Sequence, residues 1–261
     1  MHTMNIHQTH WCAENELPPL LAGLRLTVVK QNPKAKHRYW SDATLHAFIA
    51  ARYPALLPAF QTARVGVQRS DLGRLVVLHA FGGLYVDLDV ECLRPFSAPL
   101  VGGSRLAVAP EPEAQVAALY GSQTASTGGV YLCNAVMYAP AGDPVIAACL
   151  GYVGQLWAQR GADMWSLGFD VLGGRLLTRM WTEGGFRDGI DVLPSAVCYP
   201  INDLKLKDLP THASDVAMAR SGCFGPETQA VHWWVHTNFE GRDSERFVAP
   251  WPFLAALYDL K

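Results

Sequence analysis

Charge is scarce in this 261-residue chain: Asp, Glu, Lys and Arg together make up 17% of it, against roughly 25% in an average soluble domain. Half of the residues are hydrophobic, which excludes intrinsic disorder and leaves enough apolar material for a full core. No basic excess exists either, because 21 Lys and Arg stand against 23 Asp and Glu for a net charge of -2. Without a positive field to hold phosphates, nucleic acid is not an expected partner. The six cysteines, at 12, 92, 133, 149, 198 and 223, include no CxxC pair. Neither a zinc ribbon nor a small disulfide scaffold is built on such spacing, so buried free thiols in a reducing compartment are expected. Long apolar runs are absent: the strongest, Pro144 to Gln159, is interrupted by Gly151 and Gly154 and falls short of the ~20 residues that span a bilayer. The opening MHTMNIHQTHWC has no apolar h-region, so no signal peptide is expected. A cytoplasmic location is expected, with peripheral contact at the inner membrane face left open by eight tryptophans. No internal repeat of solenoid or propeller length is visible.

What the chain does contain is an alternation of strand and helix patterns. MNIHQTH reads as a short strand, and after LRLTVVK the turn NPKAK leads to HRYW, a second extended stretch. Ser41 or Asp42 caps a helix whose Leu45, Phe48, Ile49 and Arg52 share a face and which ends at Tyr53-Pro54. Another helix runs from about Gln68 to Ala80 and stops at Gly82-Gly83, followed by LYVDLDVEC as a strand. Further strands are expected at 105 to 110, 130 to 140, 190 to 194 and 230 to 239, with Pro144 in the first turn of an intervening helix. This order predicts an α/β fold with a mixed, mostly parallel sheet between helices. The segments 94 to 104, 111 to 127 and 161 to 189 read as loops with no decipherable code. No linker divides the chain, so residues 1–261 read as a single domain.

The chemistry concentrates in GGLYVDLDVEC. Asp87 and Asp89 stand two apart on a strand pattern, which puts both carboxylates on one face while Val86, Leu88 and Val90 take the other. Two ionised carboxylates beside an apolar sheet repel each other and lose hydration, and a divalent cation with a preference for oxygen relieves both costs. The alternative is a pair of solvated turn residues. The position, at the end of a strand, is where open α/β sheets place their ligands.

The longer segment VQRSDLGRLVVLHAFGGLYVDLDVECLRP resembles the DXD-containing sugar-binding region of glycosyltransferase family 32, through Arg69, Asp71, Arg74, Gly82, Gly83, Tyr85, Asp87 and Asp89. IHQTH at 6 to 10 is similar to that family's I-H-Q-T-W opening, with His10 in place of Trp. NPKAKHRYWSD, GGVYLCNAVMYAP, VLPSAVCYP and AVHWWVHTNF resemble later family segments in the family's order. In the last of these, Thr237-Asn238 replaces the family's Ser-Trp.

The resemblance implies a GT-A fold, a nucleotide-sugar donor, Mn²⁺ or Mg²⁺, and transfer with retention of anomeric configuration. It places the donor-binding core at about 4–140, and the acceptor side with a C-terminal metal and diphosphate strand at about 141–261. It makes Asp89 the principal metal ligand, with Asp87 bridging donor hydroxyls and metal-bound water, and His232 a third ligand for which His236 and Thr237 compete. Asp71 and Arg74, one helical turn apart, would bind the transferred sugar; the competing reading is a surface ion pair. Arg69, Tyr85, Asn134, His7 and Gln8 complete the implied donor site, the last two beside the base. A UDP-sugar is the favoured donor and GDP-mannose the second, with a saccharide or lipid-linked saccharide as acceptor. Two other readings of the same residues remain: a Mg²⁺-dependent phosphotransferase using D-x-D-x-V, and a nucleotide-sugar binder without turnover. A third keeps the chemistry and changes the acceptor to a host protein.

Overall fold

A computed structural model describes residues 3–121, 127–202 and 224–235 of the chain. In order, the elements are β1 (Asn5–His10), α1 (Pro19–Gln31), β2 (Lys36–Ser41), α2 (Asp42–Arg52), α3 (Leu57–Thr62), α4 (Gly66–Phe81), β3 (Gly83–Val86), β4 (Val90–Cys92), β5 (Leu106–Pro110), α5 (Glu113–Leu119), β6 (Leu132–Ala139), α6 (Pro144–Arg160), α7 (Gly173–Thr182), β7 (Ile190–Val192) and β8 (Ala230–His232). Six strands form one sheet in the order β2-β1-β3-β6-β5-β7. The β1–β2, β1–β3 and β5–β7 pairs are parallel. β6 runs antiparallel to both of its neighbours, which makes the sheet mixed. β4 and β8 pair separately as an antiparallel ribbon.

Alternate residues of the central strands enter opposite cores. Tyr85, Leu106 and Val108 join the cluster that packs under α2, α4, α6 and α7. Leu84, Val86 and Ala107 join the cluster containing Leu20, Leu24 and Val28 of α1 and Val231 of the ribbon. Burial on both faces explains why the central strands β3, β5 and β6 read as largely apolar runs.

LRLTVVK, for which the sequence predicts no element, forms the second half of α1, where burial of Leu20, Leu21, Leu24, Arg25 and Val28 outweighs β-branched propensity. Three segments fold differently from the sequence expectation. The expected loops at 111 to 127 and 161 to 189 contain α5 and α7. LYVDLDVEC is not one strand: β3 ends at Val86, and Val90 N–H donates to Asp87 O at 3.2 Å to close a turn over the two aspartates. Asp favours the first position of such turns, and the chain leaves it as β4, out of the main sheet.

The sharp reversal from α4 into β3 depends on glycine. Gly83 has φ +107°, and a Cβ there would stand 2.3 Å from Asn5 O. This close approach seats β3 beside β1 and delivers Asp87 to the carboxyl edge of the sheet. Cys12, Cys92, Cys133, Cys149 and Cys198 are buried free thiols, whereas Cys223 lies outside the described residues.

Candidate active site

Asp87, Asp89 and His232 each offer a ligand atom within 4.8 Å of the other two. The aspartates reach this point through the turn after β3, and His232 through the last residue of β8, paired with Val90. Convergence therefore comes from a turn and a neighbouring ribbon, not from one face of a continuous strand. His232 Nε2 donates to Asp89 Oδ1 at 3.1 Å, and Val235 N–H donates to Asp89 Oδ2 at 3.0 Å.

Behind the aspartates lies a buried polar network. Arg74, from α4, contacts Asp87 Oδ1 and Asp71 Oδ1, each at 3.1 Å. Its other terminal nitrogen donates to the Asn134 carbonyl at 2.6 Å. Asn134 Nδ2 donates to Asp71 Oδ1 at 2.7 Å, so β6 joins the network through main chain and side chain. The Tyr85 hydroxyl donates to Asp87 Oδ1 at 2.7 Å, lies 2.8 Å from the Thr9 hydroxyl, and has the Arg74 guanidinium over its ring. The side chains of Asp71 and Arg74 are 6% and 4% exposed, which excludes the surface ion pair among their readings.

Burial sets the electrostatics. It pushes the Asp71 carboxyl up to about 6 against the opposing pull of Arg74. It also raises Asp87, with Asp89 adding to the rise and Arg74 and His232 opposing it. For His232, burial disfavours the imidazolium, but the Asp89 carboxylate outweighs it and holds the group well above its ordinary value. Arg74 is likewise desolvated, and Asp87, Tyr85 and Asp71 keep it charged. One guanidinium thus serves the buried Asp71 and the partly exposed Asp87, while Asp89 and His232 act on Asp87 in opposite directions. Two carboxylate oxygens and an imidazole nitrogen at this spacing form a group that could hold a divalent metal ion.

The other expected site residues are placed as follows. His7 is fully buried: Nε2 donates to Gly82 O at 3.1 Å, Nδ1 accepts from the Trp40 indole at 3.2 Å, and the ring lies in a three-ring cluster with Trp40 and Phe81. Both nitrogens are committed to the fold, and desolvation lowers its pKa to about 4. Gln8, on the other face of β1, is also fully buried and accepts from Arg25 at 2.7 Å. Arg69 pairs with Asp42 at the start of α2 and donates to Ala63 O, which ties α2 to the entry of α4 away from the Asp87–Asp89–His232 cluster. His236 and Thr237 lie outside the described residues.

Sequence reasoning did not find Thr9, the Val235 amide, or Gly173. An ideal Cβ on Gly173 would stand 3.3 Å from Asp71 Oδ2 and 3.5 Å from Asn134 Nδ2. The start of α7 therefore closes directly onto the network. None of the three carries a local signal, because each acts through a partner far away in the chain.

The fold is that of the GT-A glycosyltransferases: mouse xyloside xylosyltransferase 1 aligns over 89% of this chain and 98% of its own, with a TM-score of 0.51 at 14% identity. Residues 19–107, from α1 to the start of β5, match the family described as the glycosyltransferase sugar-binding region containing the DXD motif. The chain is similar to that family through this region, which is about a third of its length. Inositol phosphoceramide mannosyltransferase 3 of Schizosaccharomyces pombe is 35% identical over 89 residues, which is 34% of this chain and 24% of the relative. Inositol phosphoceramide mannosyltransferase 2 of the same yeast is 38% identical over 87 residues, 33% of this chain and 25% of the relative. The match thus spans about a quarter of the length of these curated relatives. Among the described residues no helix is long and apolar enough to cross a membrane.

Proposed function

We propose that this chain is a metal-dependent glycosyltransferase that moves a hexose or N-acetylhexosamine from a nucleotide-diphosphate sugar to a hydroxyl of a saccharide or polar lipid, with retention. The observation that carries the reading is the meeting of Asp87, Asp89 and His232 within 4.8 Å at the carboxyl edge of a GT-A sheet. Asp89 and His232 would hold Mn²⁺ or Mg²⁺, with Asp87 beside them. The bound ion supplies positive charge to the diphosphate as the glycosidic bond breaks.

The chain's own residues do the rest. Arg74 fixes Asp87 and Asp71 relative to each other, and Tyr85 fixes the orientation of Asp87 through the same Oδ1. Asp71 Oδ2 is covered by the start of α7, and Asp71 would accept from a hydroxyl of the transferred sugar where that segment draws back. Asn134 would orient that sugar through the same network. A ligating His232 must release the proton that Nε2 now donates to Asp89, so cation uptake expels a proton. No step is assigned to a protein general base; the departing phosphate oxygen is the acceptor we propose for the incoming hydroxyl's proton.

The mannosyl transfer named for both yeast relatives supports GDP-mannose beside the UDP-sugars as a donor, and their ceramide acceptors support a polar lipid among the acceptors. The phosphotransferase reading is disfavoured, because it needs Asp87 as a free nucleophile, and its Oδ1 is engaged by both Tyr85 and Arg74. The test is donor consumption across UDP- and GDP-sugars with and without Mn²⁺. We expect slow metal-dependent hydrolysis of one donor, lost in Asp89→Ala. Cleavage of simple phosphate esters with no nucleotide-sugar turnover would overturn the reading.

A further inference from the structure

Trp234 is the one non-glycine residue with positive φ among the described residues, at +53°. A left-handed backbone is costly for a residue with a Cβ and persists only where its surroundings impose it. Its place in the β4–β8 ribbon shows what it achieves. The ribbon pairs Val90 with His232, and Trp233 N–H continues the ladder by donating to Asp89 O at 2.9 Å. In the same register an extended chain would bring the Val235 amide toward Asp87, whose carbonyl already accepts from Val90 N–H. The left-handed turn at Trp234 ends the ladder and folds the Val235 amide back onto Asp89 Oδ2 at 3.0 Å. Asp89 is thereby gripped by residues 232 to 235 at three atoms: Oδ1 by His232, its carbonyl by Trp233 and Oδ2 by Val235. The indole of Trp234 packs against His232, with ring centroids 4.1 Å apart, so the same residue also backs the imidazole.

We infer that Trp234 is a positioning residue whose left-handed backbone aims the Val235 amide at Asp89 and so presets that carboxylate for cation binding. The inference rests on the metal-dependent reading above, and its test separates the two. Trp234→Gly, Trp234→Ala and Trp234→Val all lose the indole. They differ in tolerance of positive φ, which is free for Gly, costly for Ala and most costly for Val. In metal-free protein, hydrogen exchange at the Val235 amide reads the grip itself. Mn²⁺ affinity, followed by electron paramagnetic resonance of the free ion, reads its consequence.

The expected result is that Trp234→Gly keeps the Val235 amide protected, while Ala and then Val lose protection. Mn²⁺ should bind Trp234→Val about fivefold or more weakly than Trp234→Gly. Trp234→Ala supplies the comparison should the Val protein fail to fold. Equal protection and equal Mn²⁺ affinity in Gly and Ala proteins would overturn the inference and leave the indole's packing as the only contribution. Failure of the unsubstituted protein to bind Mn²⁺, with the exchange series intact, would instead overturn the metal-dependent reading and reduce the role of Trp234 to the grip on Asp89.

Discussion

Arg74 carries more of this site than any other single side chain. Its guanidinium lies against two carboxylates and a tyrosine ring, with the side chain 4% exposed. Replacing it with Leu leaves the buried Asp71, and the partly exposed Asp87 beside it, without their cation, and removing one partner of a buried pair typically costs about 3 to 5 kcal/mol. Thermal unfolding of Arg74→Leu should show a loss of that size, and a melting temperature within a degree of the parent would contradict the network described. His7 works in the opposite way, as a neutral group. Its pKa of about 4 lies below the ordinary 6.5 because burial disfavours the imidazolium. The unfolded chain therefore takes up a proton that the folded chain refuses, and stability present above pH 6.5 is lost as the pH falls toward 4. The loss attributable to His7 between pH 7 and 4.5 is about 2 to 3 kcal/mol. Urea titrations at the two pH values should show a steeper loss for the parent than for His7→Gln; equal losses would refute the assignment.

At the scale of elements, the start of α7 meets the network only because Gly173 has no side chain. Its φ is +74°, and a Cβ would press on Asp71. Gly173→Ala should cost about 1 to 2 kcal/mol from strain and crowding. Gly151→Ala, in the middle of α6 with open space around its Cβ, should be neutral or stabilise by up to about 1 kcal/mol. Chemical denaturation of the two proteins checks the contrast, and a harmless Gly173→Ala would mean that α7 does not close on Asp71 as described. This helix was missed because Gly161 to Gly189 mixes Gly with aromatics, although Leu176, Leu177, Met180 and Trp181 recur at helical spacing and pack on one core. By contrast, α2 was legible in detail: Ser41 accepts from Thr44 N–H as its cap, and Tyr53-Pro54 ends it. β5 and β6 were legible from their apolar content, and β1 and β2 as short extended patterns. The turn over Asp87–Asp89 was hidden because Val86, Leu88 and Val90 are all buried, as a strand would have them, although the chain between is no longer in the sheet.

For the molecule as a whole, the candidate site joins segments from β1 through β8, and only part of that assembly could be read in advance. The motif from Asp71 to Asp89 is compact in sequence, and its residues do meet. His232 was legible only through resemblance, since 143 positions separate it from Asp89, whereas the Asn134 bridge and the Val235 amide depend on how the sheet and the ribbon close. His7, expected beside the base, is taken instead by the aromatic cluster of Trp40 and Phe81, which nothing in a strand pattern reveals. With Asp89 holding His232 well above its ordinary pKa, protons compete with a cation at Nε2. Mn²⁺ affinity should therefore be weaker at pH 6 than at pH 7.5, and calorimetric titration at the two pH values would expose a flat response as a contradiction. The central claim, that Asp87, Asp89 and His232 form the cation and diphosphate site, is tested most directly by a crystal grown with Mn²⁺ and a nucleoside diphosphate. Anomalous scattering from manganese should give one strong peak within ligand distance of Asp89 and His232, with the diphosphate against it. A manganese peak elsewhere, or none at saturating concentration, would contradict the account.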